Sequence, residues 1–350
     1  MTTSLTHPAS PESAEAATPS GPGSGESNSP WQRLALWQQR FPLLQLAITV
    51  LAFAFGALTI DGFGTAGTLK SILILTALVG LAGIGQTLVV LIGGVDMSVA
   101  NFIVFGAVMV TQIAVMYSLH FWIAFAIMVP VALILGGLVG WLCHRFSVDP
   151  LVATLAMGSL ALGVVQVQSE GVIAGGAPEW LTKLTSQQST TFGLPIPPLL
   201  VIWGIVIVLM WVFLHKTVAG RRLQAAGANP VAAGYSLIRL RTTWILVFAF
   251  SALAASLAGV MLAAFAGTVT TAIGGPYLFQ SLAAVVVGGT VLGGPGDYTR
   301  TVGGALMLMV VSTVMVGHGF TTADQQILYG VIIILAMIVY GRDRKLKDRV

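Results

Sequence analysis

The sequence predicts an all-α bundle of about ten membrane-spanning helices. Three observations carry this reading. Of the 350 residues, 56% are hydrophobic and only 8% are charged. The apolar residues also fall in long runs, not in the alternating pattern of barrel strands. A soluble domain carries about 25% charged residues, so much of this chain's surface must face lipid. A spanning helix needs about 20 mostly apolar residues. Ten segments approach or meet that length: 42–60, 69–92, 98–117, 120–142, 148–168, 198–215, 242–265, 277–293, 301–317 and 325–341. The eighth is the weakest, because Gly288 and Gly289 interrupt it.

The segments outside the spans follow from composition. Residues 1–30 are rich in Pro, Ser, Gly, Thr and Ala, which cannot bury enough surface to offset ordering entropy. With the interfacial lead-in of Trp31, Arg33, Trp37 and Arg40, residues 1–40 are expected to form a disordered cytoplasmic tail. No basic region precedes an apolar one there, so the tail does not read as a secretory signal. The membrane domain is expected over 41–341 and a basic cytoplasmic tail over 342–350. Lys and Arg mark the cytoplasmic side. With ten spans and the N-terminus inside, every Lys and Arg except Lys70 and Lys183 falls on the inner side. An odd span count would tend to split the basic segments 216–241 and 342–349 across the membrane. Two connections are long, 169–197 outside and 216–241 inside. The others are short, so no soluble catalytic domain is expected.

Three motifs stand out. The first is Gly93-Gly94-Val95-Asp96-Met97-Ser98, between the second and third spans. A carboxylate at the edge of lipid is costly and usually has a task. Two readings stay open: a structured turn beside a transport path, or a cap in which Asp96 and Ser98 accept hydrogen bonds from the third span's free amides. The second motif runs through the inner loop from Gly220-Arg221-Arg222 to Gly227-Ala228-Asn229-Pro230, then Ala232-Ala233 and Ser236. Asn229 followed by Pro230 is a good helix start. The short helix that follows consists mainly of small residues and is slim enough to enter a groove on another protein. The third motif, Leu282 to Asp297, holds the pairs Gly288-Gly289 and Gly293-Gly294. Paired glycines allow close helix packing or a broken backbone.

Gln86, Thr87, Asn101, Gln112, Thr154, Gln166 and Gln168 lie in or at the ends of spans. Uncharged polar groups suit a path for a neutral polyhydroxy solute; interhelical hydrogen bonding is the alternative for each. The chain lacks a phosphate-binding Gly-x-x-x-x-Gly-Lys loop. Its five His residues show no metal-ligand spacing, and its single Cys143 allows no internal disulfide. No Glu or Lys stands at a span centre, which argues against an ion-coupled carrier. A membrane enzyme would need a cluster of His, Asp or Glu, and none is apparent. The net charge of +4 is not a nucleic-acid signal.

In this order, the three motifs resemble the permease subunits of the ribose-type bacterial ABC importers. Their Gly-Gly-Ile-Asp-Leu-Ser turn is matched by Gly93 to Ser98. Their Gly-Arg…Ala-Ile-Gly-Gly-Asn…Ala-Ala…Ser-Gly-Ile loop is matched by Gly220-Arg221, Ala226 to Asn229, Ala232-Ala233 and Ser236 to Ile238. Their Ala-Ala-Val-Val-x-Gly-Gly-Thr-x-Leu run is matched by Ala283 to Leu292. The resemblance covers about 41–341. It implies a type II importer permease of ten spans in the bacterial inner membrane, paired with a second copy or a paralogue. It also implies cytoplasmic ATPase subunits that bind ATP and Mg, and a periplasmic solute-binding protein; this chain would hold no cofactor and catalyse nothing.

On that resemblance, Gly220, Arg221, Arg222, Gly227, Asn229, Pro230, Ala232, Ala233 and Ser236 form the ATPase-coupling loop. Gln86, Asp96, Ser98, Asn101, Gln112, Thr154 and Gln166 are candidates for the translocation path. Gly93, Gly94, Gly288, Gly289, Gly293 and Gly294 are candidate gating or packing glycines. Departures bear on the solute. Pro276-Tyr277-Leu278-Phe279-Gln280 lacks the acids of the family's Gly-Tyr-Glu-Leu-Asp. Gly317-His318-Gly319-Phe320 replaces a common Asn-Gly-Leu, and Leu237 replaces the glycine of Ser-Gly-Ile. The expected solute is a small sugar, with branched-chain amino acids or another small solute as the alternative.

The charge pattern makes a direct prediction. A C-terminal reporter that is active only in the periplasm stays silent on this protein; activity from it would overturn the span count or the orientation.

Overall fold

The computed structural model describes residues 43–169 and 176–347. The expected tail at 1–40 lies outside them, as does part of the long 169–197 connection. All ten expected spans appear as helices. In chain order they begin with α1 (Leu43–Thr59), α2 (Ala66–Leu91), α3 (Val99–Met116), α4 (Phe121–Phe146) and α5 (Pro150–Gln168). A short α6 (Glu179–Thr185) lies in the long connection before α7 (Pro198–Lys216). The next long connection folds as α8 (Val218–Ala228) and α9 (Pro230–Tyr235). The remaining spans are α10 (Leu240–Ala266), α11 (Gly275–Val287), α12 (Tyr298–Gly317) and α13 (Thr322–Lys347). Seven are long and apolar enough to cross a membrane; α1, α11 and the apolar part of α13 are shorter. The protein is a multi-pass helical membrane bundle.

Two expected boundaries move. The span at 277–293 stops at Val287, because Gly289 takes φ +86° and turns the chain out of the helix. The last helix does not end near 341 but runs through the expected tail to Lys347. Short connections are capped as their sequences allow. Asp149 Oδ1 accepts the Leu151 amide at 2.8 Å, with Pro150 at the first position of α5. Thr65 and Thr217 cap α2 and α8 in the same manner.

Burial sorts the helices. The apolar stretches of α2 and α3 are 83% buried, while those of α5 and α7 are 28% and 22% buried and turn most of their surface outward. Helix α10 lies against α2, α3 and α4 together. It can do so because its inward residues are small: Ser251, Ala252, Ala255, Ser256, Ala258 and Gly259. A Cβ at Gly259 would stand 2.0 Å from the Ile103 carbonyl oxygen of α3, and one at Gly106 would stand 2.0 Å from that of Ser256. A Cβ at Gly136 or Gly140 of α4 would stand 2.4 Å from the carbonyl oxygen of Phe248 or Trp244, respectively. Such contacts replace the hydrophobic drive that is absent between helices in lipid. A second lock joins α2, α7 and α12. Tyr298 Oη donates to the Gly80 carbonyl at 2.8 Å and accepts from Trp203 Nε1 at 3.2 Å.

Candidate functional site

The connections at 92–98, 217–239 and 288–297 meet at one end of the bundle, and they carry all three motifs. Gly93 takes φ +88°, which lets the chain reverse directly after α2. Gly293, with φ +60°, donates its amide to the Val90 carbonyl at 2.9 Å. A Cβ on Gly93 would lie 3.6 Å from the Gly293 Cα, so the first and third motifs lie side by side. Gly289 is likewise a turn glycine, whereas Gly288 packs: a Cβ there would lie 2.5 Å from the Arg300 carbonyl oxygen. At Gly94 and Gly294 a Cβ would meet side-chain carbons of Val89 and Val291 near 3 Å.

Asp96 is buried at the centre of its turn. Its Oδ1 accepts the Ser98 amide at 2.8 Å and the Ser98 hydroxyl, and its Oδ2 accepts the Ser251 hydroxyl of α10 at 2.6 Å. The expected cap is thus half realised. Asp96 accepts one amide, but the Ser98 side chain accepts none, and its hydroxyl donates to the carboxylate. Ser251 is the partner that sequence reading missed. Nothing distinguishes its hydroxyl from that of Ser256 in the same alanine-rich helix, and only the missing Cβ of Gly85 makes room for it. The adjacent Met97 amide donates to Thr154 Oγ1 of α5 at 3.1 Å, so one turn ties α2, α5 and α10.

The second motif is docked on the same place. A Cβ at Gly227 would lie 1.8 Å from the Leu91 carbonyl oxygen, so α8 rests on the last turn of α2. Gly220 meets the Phe213 carbonyl of α7 at a comparable 2.1 Å. Asn229 Oδ1 accepts the Ala232 amide at 3.0 Å and starts α9 as expected, with Pro230 first in the helix. Ala233 is buried toward the bundle, while Ala232, Val231, Tyr235 and Ser236 are exposed. Arg221 and Arg222 are exposed on α8. Leu237 takes φ +58° and is 90% exposed. A non-glycine residue in that conformation costs about 1–2 kcal/mol.

The polar candidates are spread over α2, α3 and α5. Gln86 is fully buried in α2, and neither its amide oxygen nor its nitrogen meets a hydrogen-bond partner among the described residues. Thr154 is buried and spends its hydroxyl on the α5 backbone and the Met97 amide. Asn101 faces Gly158 where α3 and α5 cross, and Gln112 is buried in a π-helical turn, Met109–Ile113, within α3. Gln166 is exposed near the far end of α5. At that far end Lys70 donates to the Gln187 carbonyl, and Gly176 pairs with Thr268. Trp122 stacks on Trp180 there, in keeping with an aromatic membrane boundary. Lys183 pairs with Glu179 at 2.8 Å, and that hydrogen bond holds the exposed carboxyl below its ordinary pKa.

A multi-pass bundle with a carboxylate turn and a basic helical hairpin docked on one end has the build of a transporter's membrane subunit. The chain belongs to the family described as the permease component of the branched-chain amino acid transport system, which matches residues 68–337. Over 212 residues it is 30% identical to the autoinducer 2 import system permease protein LsrD of Yersinia enterocolitica. That match covers 57% of this chain and 61% of the relative. It is 29% identical over 216 residues to the protein of the same name from Escherichia coli, with the same coverage of each chain. The chain spans less than two thirds of the length of these relatives. No solved structure matches it.

The contact between α8 and α2 can be tested directly. Gly227→Ala must push α8 off the Leu91 carbonyl, costing about 1–3 kcal/mol as an overpacked contact. Gly234→Ala, where a Cβ meets nothing within 4 Å, costs far less. Thermal unfolding of the two purified variants measures the difference; equal melting temperatures would show that α8 is not seated on α2.

Proposed function

We propose that this chain is the membrane-spanning permease subunit of an ABC importer in the bacterial inner membrane. It moves a small polar solute with energy from separate ATPase subunits. The observation that carries the reading is the α8–α9 hairpin, exposed at its tip and seated on the end of α2 at its base. The exposed side chains of Val231, Tyr235 and Leu237, together with Arg221 and Arg241, form the surface that docks on the ATPase. The strained backbone of Leu237 fits this role, because holding an apolar side chain out in water at a cost has a purpose when a partner covers it.

Movement of the hairpin is then transmitted without a long path. Pressure on α9 shifts α8, and α8 bears through Gly227 on Leu91. The turn beginning at Gly93 carries the displacement to α5 through Thr154 and to α10 through Ser251. A bundle with two packings, biased by a partner, needs no catalytic group of its own. Asp96 with Ser98 holds the turn rigid enough to transmit the shift. Gln86, Asn101, Gln112 and Gln166 supply replaceable hydrogen bonds along the solute's path. The unpaired amide of Gln86 supports this most directly, since a buried polar group without a partner is costly unless something else meets it. The far-end connection around α6 receives a periplasmic solute-binding protein, and a second permease copy or paralogue covers the outward face of α5.

The solute is a sugar or a sugar-like molecule, as the Gly-Gly-x-Asp-x-Ser turn suggests. The relatives named for autoinducer 2 import favour a second reading, in which autoinducer 2 is the cargo. Uptake by cells expressing the complete transporter, compared for ribose, autoinducer 2 and leucine, separates these readings from the branched-chain amino acid alternative. Leucine uptake alone would overturn both.

Two further outcomes are expected. Leu237→Gly relieves the left-handed strain, stabilising the loop by about 1 kcal/mol, yet weakens binding of the ATPase in a pull-down assay. Ala232→Trp, on the exposed face, weakens it about tenfold or more. Full binding and full uptake with both substitutions would sink the coupling assignment. In liposomes the permease alone accumulates nothing, and the ATPase adds little. Loaded binding protein restores uptake, and a proton ionophore leaves it intact. Accumulation by the permease alone that the ionophore abolishes would show a secondary carrier instead.

A further inference from the structure

A cavity of about 1040 Å3 opens on the flank of the bundle between α7, α8 and α10. Its apolar wall includes Leu209 and Phe213 of α7 and Leu246 and Phe250 of α10. Leu209, Leu246 and Phe250 are exposed, so the wall is unpartnered where the bundle meets lipid. Arg222 and Arg239 stand at the end of the cavity that lies beside the helical hairpin. No Asp or Glu lines it. Neither guanidinium forms an ion pair or a side-chain hydrogen bond among the described residues.

Dimensions and charge together select the occupant. From Leu240 to Phe250 the helix rises about 15 Å at 1.5 Å per residue. That is about half of a bilayer's 30 Å hydrocarbon core, the depth of one leaflet. A phospholipid acyl chain seeks an apolar wall of that depth with a polar boundary at one end. Two arginines at that boundary suit a phosphate, which guanidinium groups bind with paired donors. Basic pockets between spanning helices are known places for anionic headgroups. A zwitterionic lipid would bring its own cation toward two fixed positive charges, and a free phosphate would leave the apolar wall unused.

We propose that this groove binds one anionic phospholipid of the adjacent leaflet, its phosphate between Arg222 and Arg239 and an acyl chain along Leu209, Leu246 and Phe250. Because α8 and α10 both wall the groove, the lipid braces the base of the helical hairpin against the spans. The inference needs neither the transport reading nor a particular solute, and it holds whichever side of the membrane this end faces.

The test uses the full-length permease in nanodiscs of equal parts phosphatidylglycerol and phosphatidylcholine, followed by native mass spectrometry of the released protein. Phosphatidylglycerol is retained preferentially, and the double variant Arg222→Gln, Arg239→Gln reduces its retention about tenfold or more. Arg221→Gln, next in sequence but outside the groove, leaves retention unchanged. Leu246→Trp, which fills the wall, reduces retention with both arginines present; if it fails to express, the arginine variants decide alone. Glycerol 3-phosphate, the headgroup linkage without acyl chains, does not displace the bound lipid. Equal retention of the two lipids overturns the proposal, as does unchanged retention in the double variant or displacement by glycerol 3-phosphate. Lipid on the monomer but absent from a dimer would show instead that a second copy covers the groove.

Discussion

Helix α10 touches α2, α3 and α4 at backbone distance, and the rest of the architecture depends on that approach. In water a core forms because apolar surface leaves solvent; between helices in lipid that drive is missing. What remains is close contact, and close contact requires that nothing larger than a hydrogen atom project at the crossing points. Gly106 and Gly259 meet the backbones of α10 and α3, and Gly136 and Gly140 admit α10 to α4. The alanines and serines between them let the helices stay near along their length. Helices outside this centre, α5 and α7 above all, keep bulkier faces for lipid or for other chains.

The same closeness places the carboxylate of Asp96. Gly85 lacks the side chain that would exclude Ser251, so a hydroxyl from α10 reaches a turn 155 residues earlier in the chain. Removing a charge from water is expensive unless hydrogen bonds compensate. Asp96 has three donors, two from Ser98 and one from Ser251. A turn held in this way is stiff, and it lies between the base of the hairpin and the loosely buried α5. That position links the base of the hairpin to α5 and α10.

The hairpin shows the opposite economy. Its base is buried to backbone contact, while its tip leaves Tyr235 and Leu237 almost wholly exposed. A tip of that kind, rigid where it meets the bundle and apolar where it meets solvent, suits a lever covered by another protein. The conformation of Leu237 belongs to the same pattern: where the resembled family has glycine, this chain keeps an apolar side chain and tolerates the backbone cost.

By itself the sequence determined the ten helices, because apolar length is a local property that lipid reads segment by segment. It also determined the start of α9, since Asn229 and Pro230 act within three residues of themselves, and it marked 93–98, 220–236 and 282–297 as special. It placed the end of α11 late, since the turn at Gly289 competes with an apolar run that continues to Leu292. Only tertiary structure decided that the three motifs share one end in direct contact. It also decided that Ser98 serves Asp96 instead of an amide, and that Ala233 faces inward while Ala232 faces out. Those outcomes rest on pairings such as Gly227 with Leu91, Gly293 with Val90 and Ser251 with Asp96. Their partners lie 136, 203 and 155 residues apart, and each depends on a side chain that is absent or small, which leaves no pattern along the chain to read.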